Sequence, residues 1–355
     1  MGVPLFAEAA NIYTQSLVNG LTAGSLIALI ALGYTMVYGI VELINFAHGD
    51  VFMLGTFFAF TVLAALGITG AATATASGGA IVLGIALMLL LTPLFCAGLN
   101  LGIDRLVYKP LRRAPKLAPL VSAIGVSFCL MNLGMFWNGI MPEDGKKVPS
   151  ASGRNFPALL TTPVVRDRMV DAGLCDEVGN VLEGSLAKSV LGDSGGLRFT
   201  VKDLLVILVT VPLMLALTMF VKFSSVGKAM RATAQNPTAA QLMGINVDRV
   251  IGLTFLLGGA LAGFGSVVAA LTLYTTIDYQ LGFQQGLYAF TAAVLGGIGN
   301  IPGAVLGALV IGFVQSFGSV LVGEKWTSAM VFVILIVMLV FRPTGLLGSR
   351  TREKV

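Results

Sequence analysis

Apolar residues in this chain come in long unbroken runs, separated by short polar segments. Runs at 80–103, 117–140, 204–222, 250–273 and 327–341 are each roughly long enough to cross ~30 Å of hydrocarbon as a helix, the last being the shortest. Near the N-terminus, "LTAGSLIALIALGYTMVYGI" and "VFMLGTFFAFTVLAAL" flank the polar segment "INFAHGD" at 44–50. Near the C-terminus, the apolar stretch 286–321 is interrupted by "GGIGNIPG" at 296–303. Its first arm, "GLYAFTAAVL", is too short for a comfortable crossing, which predicts a broken or re-entrant helix. Irregular backbone at membrane depth is tolerated only where protein buries it or where it lines a cavity.

Composition agrees with this pattern. Hydrophobic residues make up 56% of the chain and charged residues 11%, with a mean hydropathy of +0.91. A soluble domain carries about a quarter charged residues. The expected fold is therefore all-α integral membrane, a polytopic bundle of about eight to nine membrane elements in a single domain, 1–355. No basic n-region with a cleavage site opens the chain, so no removable signal peptide is expected.

Charge orients the spans. Arg105, Lys109, Arg112, Arg113 and Lys116 share one short loop with Asp104. Lys222, Lys228, Arg231 and Arg249 mark a second, and Arg342, Arg350, Arg352 and Lys354 the tail. Basic short loops stay cytoplasmic, so all three lie inside and the net charge of +5 is no sign of nucleic-acid binding. Segment 141–203, polar and charge-balanced, is then an extracytoplasmic loop with modest structure of its own. Span 250–273 leads out and 327–341 leads in, so 286–321 begins and ends outside. The side of the N-terminus is open, because Glu8 is the only charge there.

Candidate chemistry is sparse. Cys96, Cys129 and Cys175 have neither metal-ligand nor paired-disulfide spacing and read as small buried hydrophobes. His48 is the only histidine and has no placed nucleophile, which argues against a membrane enzyme. It can be a proton relay in a secondary transporter, but only Glu42, Asp50 and Asp278 are candidate carboxylates at depth. Asp278 reads as an outer-surface residue. The two interruptions, N-x-x-x-G at 45–49 and N-x-x-G at 300–303, occur once in each half and hint at a duplicated architecture. Half-helix ends suit the charged groups of a zwitterion. Asn45, His48, Gly49, Asp50, Gly299, Asn300, Pro302 and Gly303 are thus the candidate path or gate residues, either touching substrate or acting as a structural break. Gly259 with Gly263, and Gly303 with Gly307, have helix-packing spacing, within this subunit or on a dimer face.

The loop "SSVGKAMRATAQNPTAAQLMGINVDRV" (224–250) is too long for a turn and has helical punctuation. Asn236 suits an N-cap, Pro237 the first helical position and Gly244 the C′ position. A two-turn helix, "PTAAQLM", is predicted on the cytoplasmic side.

This loop resembles the E-A-A-x-x-x-G loop of ABC importer permeases, with Ala239, Ala240 and Gly244 at the motif's spacing and Thr238 where Glu would stand. Together with "ALGYTMVYGIVELINFAHGDVFMLG", "RATAQNPTAAQLMGINVDRVIGLTF" and "AFTAAVLGGIGNIPGA", it makes the chain similar to LivH-type permease subunits of branched-chain amino acid ABC importers. The likeness covers most of 20–130 and 205–345; it leaves out 143–200, and Asp50 stands where Glu is usual. It implies a bacterial inner-membrane permease working with a second related permease, two cytoplasmic ATPases and an extracytoplasmic binding protein. Permeases for urea or short amides share much of the pattern. The chain itself carries no Walker A, since Gly145-Lys146 and Gly227-Lys228 lack the upstream Gly and the following Ser/Thr. It is expected to bind no cofactor, ATP and Mg being used by the partner ATPases. The resemblance assigns 224–249 as the coupling loop, with Arg231, Asn236, Pro237, Thr238, Ala239, Ala240, Gly244 and Arg249 as its ATPase-coupling residues. Ala239 and Ala240 would give close fit, and Arg231 and Arg249 would pair with acids on the partner.

Overall fold

The computed structural model describes residues 3–41, 45–68, 78–112, 114–115, 117–141, 149–156, 201–272, 276–342 and 344–348. Glu42, Arg113, Lys116, Cys175, the Gly145-Lys146 pair and the tail cations Arg350, Arg352 and Lys354 lie outside them, as does most of the predicted loop 141–203.

Among the described residues, eight helices are long and apolar enough to cross a membrane. They are α1 (Val3–Val41), α2 (Ala47–Ala65), α3 (Gly78–Ile103), α4 (Leu117–Ile140), α5 (Val201–Phe223), α8 (Val247–Thr272), α10 (Ile301–Leu321) and α11 (Glu324–Phe341). Between α5 and α8 lie α6 (Ser225–Gln235) and α7 (Pro237–Leu242). The ninth membrane element, α9 (Leu281–Gly296), has 16 residues, about 24 Å at 1.5 Å per residue, short of a full crossing. The predicted short arm is this helix. Two short strands, β1 (Arg154–Asn155) and β2 (Thr276–Ile277), pair antiparallel.

Central and peripheral helices separate by burial. In α1, α2 and α8 the most apolar windows are 78%, 78% and 72% buried, against 6% in α11. The peripheral helices carry exposed apolar side chains such as Phe128, Phe136, Leu208 and Val333. A membrane helix can be apolar all round, because hydrocarbon solvates its outer face.

Small residues draw the core together. Built as alanine, Gly263 would place Cβ 2.5 Å from Cα of Pro93 on α3, and Gly259 would place it 2.9 Å from Cα of Ala97. Gly303 and Gly307 press in the same way on the backbone of Gly296 and Ala292 in α9. Both pairs therefore pack helices within this chain. Cys96 is buried as expected, whereas Cys129 is exposed on α4, an outward position of an otherwise apolar helix.

Two hydrogen bonds fix the position of the N-terminal part of α1. Thr22 donates to Asp203 at the start of α5 (3.1 Å), and Ser316 donates to the carbonyl of Ser16. The N-terminal part of α1 thus shares an end with the start of α5 and the exit of α10, opposite the basic loops. By the positive-inside rule that end is extracytoplasmic. At the same end, the fully buried Arg154 donates to Asn138 Oδ1 (2.8 Å) and to the carbonyls of Asn138 (2.9 Å) and Met141 (2.6 Å).

Candidate functional site

Two groups of predicted residues fold into defined structures, and a third lands elsewhere.

The first is the cytoplasmic segment between α5 and α8. Ser224 caps α6 by accepting from Gly227 N (2.9 Å). Asn236, in extended conformation, breaks the chain and caps α7 by accepting from Ala239 N (3.0 Å). At the far end Gly244 takes φ +82°, and Gly244 N and Ile245 N donate to the carbonyls of Gln241 and Ala240, both at 3.0 Å. That is the left-handed glycine C-cap, in which two amides fold back over the last turn. Asn246 then caps α8 by accepting from Arg249 N (3.0 Å). Three capped helices in succession make this a rigid elbow rather than a loop. The predicted two-turn helix is present with its predicted caps, and a further helix, α6, precedes it. Its "SSVGKAM" start has a serine cap that a search for apolar runs passes over.

Orientation corrects one expectation here. Ala240 is buried against this chain's own core, so it offers no surface to a partner. The outward residues are Thr238, Ala239, Gln241, Leu242 and Met243, the last two 84% and 82% exposed. Arg231 is exposed and also donates to the carbonyls of Val221 and Lys222 at the end of α5. Helix-terminal carbonyls attract a cation, and this one is supplied from within the chain. Arg249 is exposed.

The second group surrounds the start of α2. The ring of His48 packs on Gly33, leaving no room for a Cβ, and meets Tyr34 edge-on at 4.8 Å. Gly49 lies against the backbone of Gly282 and Gly286 in α9. Gly33 also approaches Gly258 of α8. Gly33 precedes the end of α1 by about 12 Å and Gly258 follows the start of α8 by about 16 Å, at 1.5 Å per residue. So α2 begins level with the interior of its neighbours, and "INFAHGD" is a return at depth.

Hydrogen bonds fix that return. Tyr108 donates to Asn45 Oδ1 (2.8 Å), Asn45 Nδ2 donates to Asn100 Oδ1 (3.3 Å), and Asn100 Nδ2 donates to the carbonyl of Phe255 (2.6 Å). Asp50 Oδ2 accepts from Ser127 of α4 at 2.5 Å. Ser266 donates to the carbonyl of Phe52 (2.7 Å). His48 and Asp50 are fully buried, and no serine or cysteine nucleophile is hydrogen-bonded to the imidazole among the described residues. Such a cluster can hold a closed passage or yield when its helices move.

The third group, Gly299, Asn300, Pro302 and Gly303, does not join His48. Asn300 caps α10 by accepting from Gly303 N (3.2 Å), and its Nδ2 donates to the carbonyl of Leu347 (2.8 Å). Leu346 N and Leu347 N donate to the carbonyls of Leu295 and Gly296. The turn therefore sits at the cytoplasmic end, clamped by the segment after α11. Spacing alone shows that a helix breaks, while the depth of the break depends on the length of α9.

A further cluster joins residues that no sequence motif brings together. Beyond Ile103, α3 continues through a π-helical turn, Asp104–Tyr108, into a final turn at Lys109–Leu111. The turn buries both Asp104 and Tyr108. Arg112 bridges Asp104 (2.6 Å) and Asp248, and Lys109 also pairs with Asp248 (3.1 Å). Lys109 and Arg112 read as topology markers in the sequence, and their pairing with Asp248 required the fold. The cations and Asp248 line a cytoplasmic cleft of about 1060 Å³ that also touches α7.

A multi-pass helical bundle with a mid-depth helix return and a capped elbow defines a polytopic helical membrane protein. The chain belongs to the family described as branched-chain amino acid transport system / permease component, whose model matches residues 16–340. It is 38% identical over 343 residues to the high-affinity branched-chain amino acid transport system permease protein BraD of Pseudomonas aeruginosa, covering 97% of this chain and 98% of that one. It is 37% identical over 354 residues to LivH of Escherichia coli K12, a permease protein of a similarly named system, with the same coverage. A probable LivH of Methanocaldococcus jannaschii is 25% identical over 356 residues, covering 98% and 93%. No solved structure was found to match.

Proposed function

We propose that this chain is one permease subunit of an ATP-driven importer that moves branched-chain amino acids across the inner membrane. Its partners in this reading are a second related permease, two cytoplasmic ATPases using ATP and Mg, and an extracytoplasmic binding protein. The observation that carries the reading is α7, a short helix capped at both ends with Leu242 and Met243 facing the cytoplasm. An exposed apolar pair on a rigid elbow suits a cleft in a partner. Because α6 and α8 run directly from the elbow, displacement of α7 becomes tilting of α5 and α8.

The cluster of Asn45, His48, Gly49 and Asp50 acts as the gate of the path. It is buried, with Asn45 and Asp50 hydrogen-bonded in this conformation, so opening requires α2 to separate from α4 and α9.

The test is reconstitution in proteoliposomes with the ATPases, the second permease and the binding protein. Labelled leucine is expected to enter with ATP inside the ATPase compartment, and urea is not. Uptake that follows a proton gradient without any ATPase would overturn the reading.

A further inference from the structure

The cleft beside α7 has two walls that belong to different parts of the machine. One is the end of α3, carrying Lys109 and Arg112; the other is the start of α8, carrying Asn246 and Asp248 directly after the elbow. Ion pairs cross between them. Arg112 reaches Asp248 on one side and Asp104 on the other, and Asp104 has a side chain only 2% exposed. An exposed carboxylate pair alone contributes little. A guanidinium held by two carboxylates on separate elements, one of them buried, is a far stiffer joint.

The joint leads inward. Asp104 and Tyr108 share the π-helical turn and both face the core. π-turns inside α-helices recur at functional sites, because the extra residue redirects the side chains. From Tyr108 the hydroxyl reaches Asn45, and Asn45 is the residue from which α2 turns back, its carbonyl accepting from His48 N (3.1 Å). Two sets of polar contacts, Asp248–Arg112–Asp104 and Tyr108–Asn45, are thus joined by the backbone of the π-turn between the elbow and the buried return.

We propose that Arg112, Asp248 and Tyr108 are positioning residues of the transport cycle, transmitting movement of α7 across the cleft and through the π-turn to the Asn45–His48 return. The inference rests on the importer reading. In it, α8 cannot tilt without pulling Arg112, and the π-turn cannot shift without moving the hydroxyl that holds Asn45. The ATPases touch none of the three in this scheme; the residues act only through α7.

The experiment measures leucine taken up per ATP hydrolysed in the fully assembled, reconstituted complex. Asp248→Asn removes the exposed carboxylate charge, and Tyr108→Phe removes one hydroxyl while keeping the ring beside Phe255. Each is expected to retain bound ATPases and ATP hydrolysis while lowering the uptake-to-hydrolysis ratio about tenfold, a typical coupling strength. Asp248→Glu is expected to restore most of the ratio. The double variant should be no worse than the stronger single one, since both interrupt one route. Unchanged ratios in both single variants would overturn the proposal. So would loss of ATPase binding, which would place the residues in assembly. A wild-type complex without ATP-driven uptake would instead overturn the importer reading itself.

Discussion

Ser127 on α4 donates a 2.5 Å hydrogen bond to Asp50 on the first turn of α2, joining a peripheral helix to the buried return. Both residues are buried, so neither can exchange this bond for water. Ser127→Ala leaves the carboxyl group without its donor and should destabilise the protein by about 1–3 kcal/mol. Asp50→Asn keeps an acceptor oxygen and should cost less. Removing both partners together, Ser127→Ala with Asp50→Leu, should be milder than Ser127→Ala alone if the loss is an unsatisfied group. Thermal unfolding of the purified protein in detergent reads all three.

Close approach of α3 and α8 gives a second prediction. Gly263→Val must push Pro93 away, because even a Cβ would lie 2.5 Å from its Cα. Overpacking of this kind costs about 1–3 kcal/mol where the neighbour is a side chain, and more where it is backbone. Gly98→Ala on the exposed face of α3 meets nothing within 4 Å and should be neutral or slightly stabilising. The comparison of folded yield after membrane extraction checks both. Equal yields would mean that the two helices tolerate separation.

The elbow distinguishes two neighbouring alanines. Ala239→Arg puts a cation on the outer face of α7 and should abolish ATPase co-purification while the permease itself still folds. Ala240→Arg drives a charge into the core and should lower folding before any question of docking arises. Asn236→Ala removes the cap and should weaken α7 by about 0.5–2 kcal/mol, reducing ATPase binding only partly. Pull-down of the ATPases, alongside size-exclusion profiles of each variant, separates the outcomes. Retained binding in Ala239→Arg would remove α7 from the docking surface.

These cases mark what could be read before the fold was known. Spans such as 117–140 were legible because length and apolarity are local, and the α7 caps because Asn-Pro and Gly punctuate the chain themselves. Which alanine faces inward was not legible, because both have the same small side chain and only packing against Ile245 and α8 decides. The charges at 104, 109 and 112 stand out in the sequence as part of a basic loop, yet their pairing with Asp248 depends on two helices that are far apart in sequence. The likeness between the breaks at 45–49 and 300–303 said nothing about depth. One lies at the interior of the bundle and the other at its cytoplasmic end, since α9 is long enough to reach that end from a buried start.

Arg154 supplies the last prediction, at the extracytoplasmic end. Its guanidinium satisfies two carbonyls at the end of α4 and the side chain of Asn138, with its carbon 5.0 Å from the ring centre of Phe60. A cation placed on helix-terminal carbonyls is favoured by their dipoles as well as by hydrogen bonding. The planar fork reaches several acceptors at once, which an ammonium on a single flexible stem cannot reproduce. Arg154→Met keeps much of the apolar bulk but strips the buried carbonyls of their donors, and should destabilise by about 2–4 kcal/mol. Arg154→Lys should recover less than half of that loss. Because β1 pairs with β2 through the Arg154–Ile277 register, the same change should loosen the entry to α9. Faster amide hydrogen exchange at 276–277 in Arg154→Met would report it, and unchanged exchange there would confine the effect to α4.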